Sequence, residues 1–256
     1  MSPSDIPTKE TAAFISDSLP PGKLRILEVG CGGGEVAFTL QQMGHQVIAI
    51  DSDESSVLSA KKLGVDARLA QWPVFEESLF DVVLFTRSLH HIHSLLEALE
   101  KAKQLLKNNG LLLVEDFAFN ELDQITSEWF YELLLLLSAC DAISLGDDSL
   151  GKDVLAGEKG LDAWRKEHGH HLHTGEMMEE AIQSVFGNLK VNFAPYLYRY
   201  VCTMIKNTGN GSTDKGSTGK NNKVITHTLE LEKTLGKLQQ SCWIGRRYIA
   251  TNNSEV

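Results

Sequence analysis

The chain has 256 residues, 42% of them hydrophobic, enough to bury a full core, and a single domain over residues 1–256 is expected. Its net charge of −10 leaves no basic footprint for a phosphate backbone, which argues against a nucleic-acid partner. The opening "MSPSDIPTKETAAFISDSLPPGK" lacks a basic head followed by an apolar run, and Leu133 to Leu137 is too short to span a bilayer, so a soluble, cytoplasmic protein with no membrane partner is expected.

Residues 1–22 read as an N-terminal helical segment. From Leu24 short β-type runs alternate with helical patterns: "LRILEVG" is a buried strand, "GEVAFTLQQMG" a helix, "QVIAI" a second strand and "ESSVLSAKKLG" a second helix. "DARLA", "FDVVLFT" and "GLLLVEDF" supply three more strands, the last two separated by the helix "SLLEALEKAKQLLKNNG". Strand and helix in regular turn imply right-handed crossovers and an α/β fold, a doubly wound, mostly parallel, Rossmann-like sheet of seven strands.

The pattern changes after Phe117. Asn120 can cap a long helix, "ELDQITSEWFYELLLLLSACDA", and the chain reaches another β-type run, "LKVNFAPYLYRYV", only after a long polar stretch. Residues 117–190 therefore read as a helical lid inserted after the fifth strand. Residues 207–223, "NTGNGSTDKGSTGKNNK", hold no large apolar residue and read as a flexible loop. A helix, "THTLELEKTLGKLQQ", and a last strand, "WIGRRYIAT", close the chain.

Cys31, Cys140, Cys202 and Cys242 lie scattered without paired spacing, which argues against a disulfide framework and against a Cys-based zinc site. The glycines of "RILEVGCGGGEVAF" carry more information. At the carboxyl end of a first strand they let the backbone turn tightly and let a ligand approach, while the next helix offers free N–H groups. A dinucleotide fingerprint counted from Gly30 fails, because Glu35 stands at its sixth position; Gly32, Gly34 and Ala37 fit only if the register shifts by two. Glu28, Gly30, Gly32 and Gly34 read instead as an acidic strand end plus alternating glycines, suited to a cationic ligand. A nicotinamide-dependent oxidoreductase stays as the alternative, as does a cofactor-binding protein that has lost catalysis.

"LEVGCGGG" resembles the first motif of the class I S-adenosylmethionine-dependent methyltransferases, "AIDSDE" their second, and "FDVVLFTRSLHHI" their fourth-strand segment. "PYLYRYV" and "WIGRRYIA" are similar to stretches in a group of small-molecule members. The resemblance implies S-adenosylmethionine as cofactor, S-adenosylhomocysteine as product and a small organic acceptor, with oxygen slightly ahead of nitrogen or carbon. It implies that Glu28 lies near the methionyl amino end and that Gly30, Cys31, Gly32 and Gly34 pass along the sugar and amino-acid part. Asp51, with Ser52 beside it, would accept from the ribose hydroxyls. In the third motif "AQW" stands where many members have Asp, so Gln71 would meet the adenine edge and Trp72 would wall the pocket or fill the core. Arg87 would pair with the methionine carboxylate or with a surface acid.

An acceptor that holds a proton needs a base. His90, His91 and His93 form one histidine cluster, and His168, His170, His171 and His173 a second in the expected lid. His91, His168 and His173 are the candidate bases, and Glu115 or Asp116, ending the fifth strand, can orient the acceptor. Neither cluster shows His-Glu-x-x-His, and no metal is expected. A monomer or a homodimer is compatible with all of this.

Overall fold

The computed structural model describes residues 5–146, 149–157, 160–169, 172–205 and 215–253. In chain order these form α1 (Asp5–Ser18), β1 (Arg25–Val29), α2 (Glu35–Gln42), β2 (Gln46–Asp51), α3 (Glu54–Lys62), β3 (Asp66–Leu69), β4 (Phe80–Thr86), α4 (Leu95–Leu105) and β5 (Leu106–Phe117). Then follow α5 (Gln124–Ala139), α6 (Ser149–Leu155), α7 (Gly160–His168), α8 (Gly175–Phe186), β6 (Lys190–Ala194), α9 (Tyr198–Met204), α10 (Lys215–Lys237) and β7 (Gly245–Thr251). A short 3-10 helix, Leu89–His91, lies between β4 and α4. The strands make one seven-stranded sheet in the order β3-β2-β1-β4-β5-β7-β6. The four pairings from β3 to β5 are all parallel.

The chain divides into two compact units. One, the sheet unit, holds residues 8–117, 173–192 and 246–256. Its central strands are apolar on both faces because successive side chains point to opposite sides. Leu27, Ile48, Val83 and Leu112 pack with Leu99 of α4 and Ile182 of α8. Ile26, Val47, Val82 and Leu113 pack in a second core with Ile15 of α1, Leu40 of α2 and Val57 of α3. Caps set the helix starts: Asp53 Oδ2 accepts from the Ser56 N–H at 2.8 Å, and Thr174 Oγ1 from the Met177 N–H at 3.2 Å.

The other, the helical unit, holds residues 1–7, 118–172 and 193–245. The expected insertion over 117–190 is therefore divided: its last part, including α8, belongs to the sheet unit. Asp123 rather than Asn120 caps α5, its Oδ1 accepting from the Thr126 N–H at 2.6 Å.

Three local readings are corrected. The strand expected through "PYLYRYV" stops at Ala194, and Tyr198–Met204 is helical. Pro195 lacks the donor a strand needs, and the Glu232 carboxylate accepts the backbone N–H groups of Tyr196, Leu197 and Tyr198 at 2.6, 3.0 and 3.0 Å. The helix expected through "LLKNNG" ends at Leu105, and β5 begins at Leu106. The loop expected over 207–223 is helical from Lys215; residues 207–214 lie outside the described residues.

Gly34 opens α2 at φ 83°, and a Cβ built on it would stand 2.5 Å from the Ala60 Cβ of α3. Both the left-handed backbone and the close α2–α3 approach exclude a side chain here. Gly34→Ala is expected to cost about 2 to 4 kcal/mol of stability, read as a lowered urea midpoint. A midpoint unchanged from wild type would mean that α2 and α3 part without cost.

Candidate functional site

A cavity of about 530 Å³ opens within the sheet unit where β1, β2 and β4 end. Clefts at this end of an open parallel sheet are where such folds bind ligands, and the volume is within the usual range for small-molecule pockets. Its wall is built from the turns after β1, β2 and β4 and the segment after β3.

The turn after β1 supplies Gly30 and Gly32. Gly30 has φ 73°, and a Cβ there would meet the Ser88 Cβ at 2.5 Å, so the turn and the segment after β4 close on each other only with glycine. Ser88 Oγ donates to the Val29 carbonyl at 2.6 Å and pins that closure. The Gly32 N–H donates to Asp51 Oδ2 at 2.8 Å, tying the first turn to the end of β2.

Asp51 and Ser52 line the cavity at that second turn. The Asp53 N–H donates to Asp51 Oδ1 at 2.9 Å, so each carboxylate oxygen holds one backbone N–H and keeps a lone pair for a further donor. Beyond β3, Gln71 and Trp72 also line the cavity. Gln71 is exposed. Trp72 serves both roles weighed for it: it walls the cavity and packs on the core, its ring edge-on to Phe85 at 5.8 Å and its indole N–H donating to the Ala98 carbonyl at 3.2 Å.

The third turn, after β4, brings Arg87, His91 and His93 to the cavity. Arg87 is held at φ 58° by its N–H, which donates to the Glu115 carbonyl at 2.7 Å, and its Nη1 lies 3.7 Å from Glu115 Oε2. Glu115 is otherwise engaged: Thr11 Oγ1 donates to it at 2.5 Å and Arg247 approaches at 2.8 Å. It anchors α1 and β7 to β5.

Asp116 is fully buried and turns toward the histidines. Its Oδ2 accepts from the His90 N–H at 3.2 Å and its Oδ1 from the Phe117 N–H at 2.9 Å. His90 Nδ1 stands 2.6 Å from Asp116 Oδ1, in close contact but out of line for a good hydrogen bond. The His91 ring lies 4.0 Å from the His90 ring, centre to centre. Burial, and then the neighbouring His90, push the His91 imidazole below its usual value.

Several expected site residues sit elsewhere. Glu28 lies under the glycine turn, fully buried, its Oε1 accepting from Thr86 Oγ1 at 2.7 Å; burial lifts its carboxyl to about 7. Cys31 is buried beside it, and burial with the carboxylates of Glu28 and Asp51 pushes its thiol up to about 12. Gly34 opens α2. None of the three lines the cavity.

His173 ties the segment before α8 to the third turn, its N–H donating to the His90 carbonyl at 3.0 Å and its Nε2 lying 2.7 Å from the Ile92 carbonyl. A carbonyl can only accept, so that Nε2 carries the hydrogen. His168 belongs to the helical unit, stacked on Trp164 at 3.9 Å. Its Nδ1 lies 2.9 Å from the Trp164 carbonyl, so its Nε2, 2.6 Å from Tyr200 Oη, accepts from the phenol. Both rings are thus committed to packing and hydrogen bonds. His170 and His171 lie outside the described residues.

The chain has recognisable relatives. Residues 27–114 match the family described as a methyltransferase domain. The ubiquinone biosynthesis O-methyltransferase of Bradyrhizobium diazoefficiens is 32% identical over 100 residues, covering 36% of this chain and 40% of that protein. The one from Rickettsia canadensis is 33% identical over 99 residues, covering 36% and 42%. The chain thus spans about two fifths of the length of the curated relatives it matches. Among solved structures, the plantazolicin methyltransferase BpumL in complex with a triazolic desmethylPZN analog and SAH aligns with a TM-score of 0.55 at 15% identity, over 98% of this chain and 85% of that one. A SAM-dependent methyltransferase from Archaeoglobus fulgidus aligns at 0.53 and 15%, over 95% and 94%. The resemblance to class I S-adenosylmethionine-dependent methyltransferases that the three motifs carry is borne out, and so is the Rossmann-like fold.

Glu28 carries a pH consequence. Its carboxyl titrates near 7 when folded against an ordinary 4.5, so the folded state holds this proton more tightly. That contribution to stability is complete below about 4.5 and is lost as pH rises through about 7. Between those limits the wild type is expected to lose up to about 3 kcal/mol that Glu28→Gln does not, compared by urea unfolding at each pH. Parallel pH dependences of the two proteins would mean that Glu28 is not perturbed.

Proposed function

We propose that this chain transfers the methyl group of S-adenosylmethionine to a hydroxyl of a small organic molecule, releasing S-adenosylhomocysteine. The observation that carries the reading is the Asp51 carboxylate, anchored by two backbone N–H groups at the end of β2 and lining a cavity whose adjoining wall is the glycine turn after β1. The donor set suits the cofactor: a carboxylate with free lone pairs for a ribose diol, a glycine backbone that admits close approach, a guanidinium for a carboxylate and an indole wall.

In this reading Asp51 and Ser52 hold the ribose, Gln71 and Trp72 the base, the backbone at Gly30 and Gly32 the sugar and amino-acid part, and Arg87 the carboxylate. Glu28 and Cys31 support the turn from beneath. When bound, the sulfonium supplies an activated methyl whose C–S pair stays with sulfur as the acceptor oxygen forms the new O–C bond. The protein's part is to align the acceptor, exclude water and remove the acceptor's proton. A hydroxyl acceptor is favoured by the bacterial relatives bearing the name ubiquinone biosynthesis O-methyltransferase, and a small molecule by the net charge of −10, which disfavours nucleic acid.

Calorimetric titration with S-adenosylmethionine, S-adenosylhomocysteine and NADH tests the reading. Micromolar binding of the first two without NADH is expected, and Asp51→Ala is expected to weaken it by about 1 to 3 kcal/mol. NADH binding in place of the sulfonium pair would overturn the reading, and unchanged affinity in the variant would remove Asp51 from the site.

A further inference from the structure

We infer that His91 takes the proton of the acceptor hydroxyl, and that Asp116, acting through His90, is the positioning residue that holds His91 ready to do so. The inference rests on the methyl-transfer reading above and names the base that reading leaves open.

The topology divides the cavity. Strand order places β3 and β2 on one side of β1 and β4 on the other. Asp51, Gln71 and Trp72 come from the β2 and β3 ends; Arg87, His91 and His93 come from the turn after β4. A ligand whose ribose sits on Asp51 therefore has its reacting end toward the β4 turn. At that end the ionisable side chains on the cavity wall are Arg87, a permanent cation, and the two imidazoles.

His91 is distinguished from His93 by what stands behind it. Its ring packs on His90, and His90 is held by the buried Asp116 through its backbone N–H and by the 2.6 Å approach of Nδ1. The His90 carbonyl receives the His173 N–H, and the Ile92 carbonyl lies 2.7 Å from His173 Nε2, so both residues flanking His91 are fixed from the segment before α8. A base on a braced turn spends less entropy on reaching its proton.

The groups around His91 set its protonation. His90 lies against its ring, Asp116 stands behind from β5, Arg87 and His93 flank it on its own turn, Asp51 faces the same cavity from β2, and His173 closes the turn from the α8 side. Burial and His90 favour the neutral ring, and Asp116 opposes them. A neutral imidazole has the free lone pair the step requires. The acceptor O–H bond breaks, its proton bonds to the ring nitrogen, and its electron pair becomes the oxygen's nucleophilic pair. The imidazolium then returns the proton to water after product leaves.

Imidazole proton NMR on the ligand-free protein gives a readout independent of turnover, with His91→Asn assigning the signal. His91 is expected to titrate below 6.5, and Asp116→Asn to move it down by about 0.5 pH unit. His90→Gln, which keeps a donor and an acceptor, provides a second variant should Asp116→Asn not fold. A His91 titration at its ordinary value, unmoved by both variants, overturns the brace.

Turnover is read with labelled S-adenosylmethionine and whichever of a set of phenols and catechols the wild type methylates fastest. His91→Asn is expected to lower kcat by about 100-fold or more while S-adenosylhomocysteine affinity stays within about threefold. Asp116→Asn is expected to shift the acid limb of the kcat/KM pH profile downward with the NMR value. A His91→Asn kcat within about threefold of wild type overturns the inference. So does a wild type that binds S-adenosylhomocysteine yet methylates no hydroxyl, which leaves the cofactor reading standing. A wild type that fails to bind it removes the cofactor reading itself.

Discussion

The hydrogen bond from the Gly32 N–H to Asp51 Oδ2 completes a tie between two turns that the Gly30 and Cys31 N–H groups, both donating to the Ile50 carbonyl, begin. β1 and β2 run parallel, so both end on the same side, and each must change direction where the cavity opens. With the carboxylate on the glycine N–H, the turn after β1 and the end of β2 become one surface. The second oxygen, on the Asp53 N–H, fixes the carboxylate plane just before α3. An acidic residue placed by two backbone donors presents its remaining lone pairs in set directions, which flexible side-chain packing does not achieve. The Gly30 approach to Ser88 adds the third turn to the same surface. The whole cavity wall depends on these backbone contacts more than on any side chain that lines it.

The two carboxylates that end β5 show how one local sequence serves two purposes. Glu115 and Asp116 are neighbours, so the pleat sends their side chains to opposite faces of the sheet. Glu115 meets Thr11 and Arg247 and becomes a structural anchor. Asp116 meets His90 and becomes part of the support behind the cavity. Burial makes both assignments strict, because neither carboxylate can be left without partners away from water.

Much of this arrangement was legible in the sequence. Hydrophobic runs ending in glycine or acid marked β1, β2 and β5, the apolar run up to Thr86 marked β4, and the alternating glycines with Asp51 marked the cavity; periodicity and turn chemistry are local properties, and they survive folding. The helical Tyr198–Met204 was not legible, since aromatic and β-branched residues favour strands, and the carboxylate that caps the segment, Glu232, lies far along the chain. The split of the histidines was hidden for the same reason. His168 looks like a free base in "EHGHHLH", yet its ring is taken by Trp164 and Tyr200, the latter 32 positions away. His90 and His91 are indistinguishable as letters, and only the path of the backbone buries one and leaves the other partly exposed on the cavity wall.

That separation of His90 from His91 is what lets a pair of identical residues do unlike work. In a 3-10 helix successive side chains point about a third of a turn apart, so of two adjacent histidines one faces inward and the other outward. The inward ring reaches a buried carboxylate that no exposed residue can approach without losing its hydration. The outward ring lines the cavity and keeps contact with solvent, as the proton acceptor proposed above needs. A single histidine at this position has one of these environments and lacks the other; the doubled residue on a tight helical turn supplies both within one step of the chain.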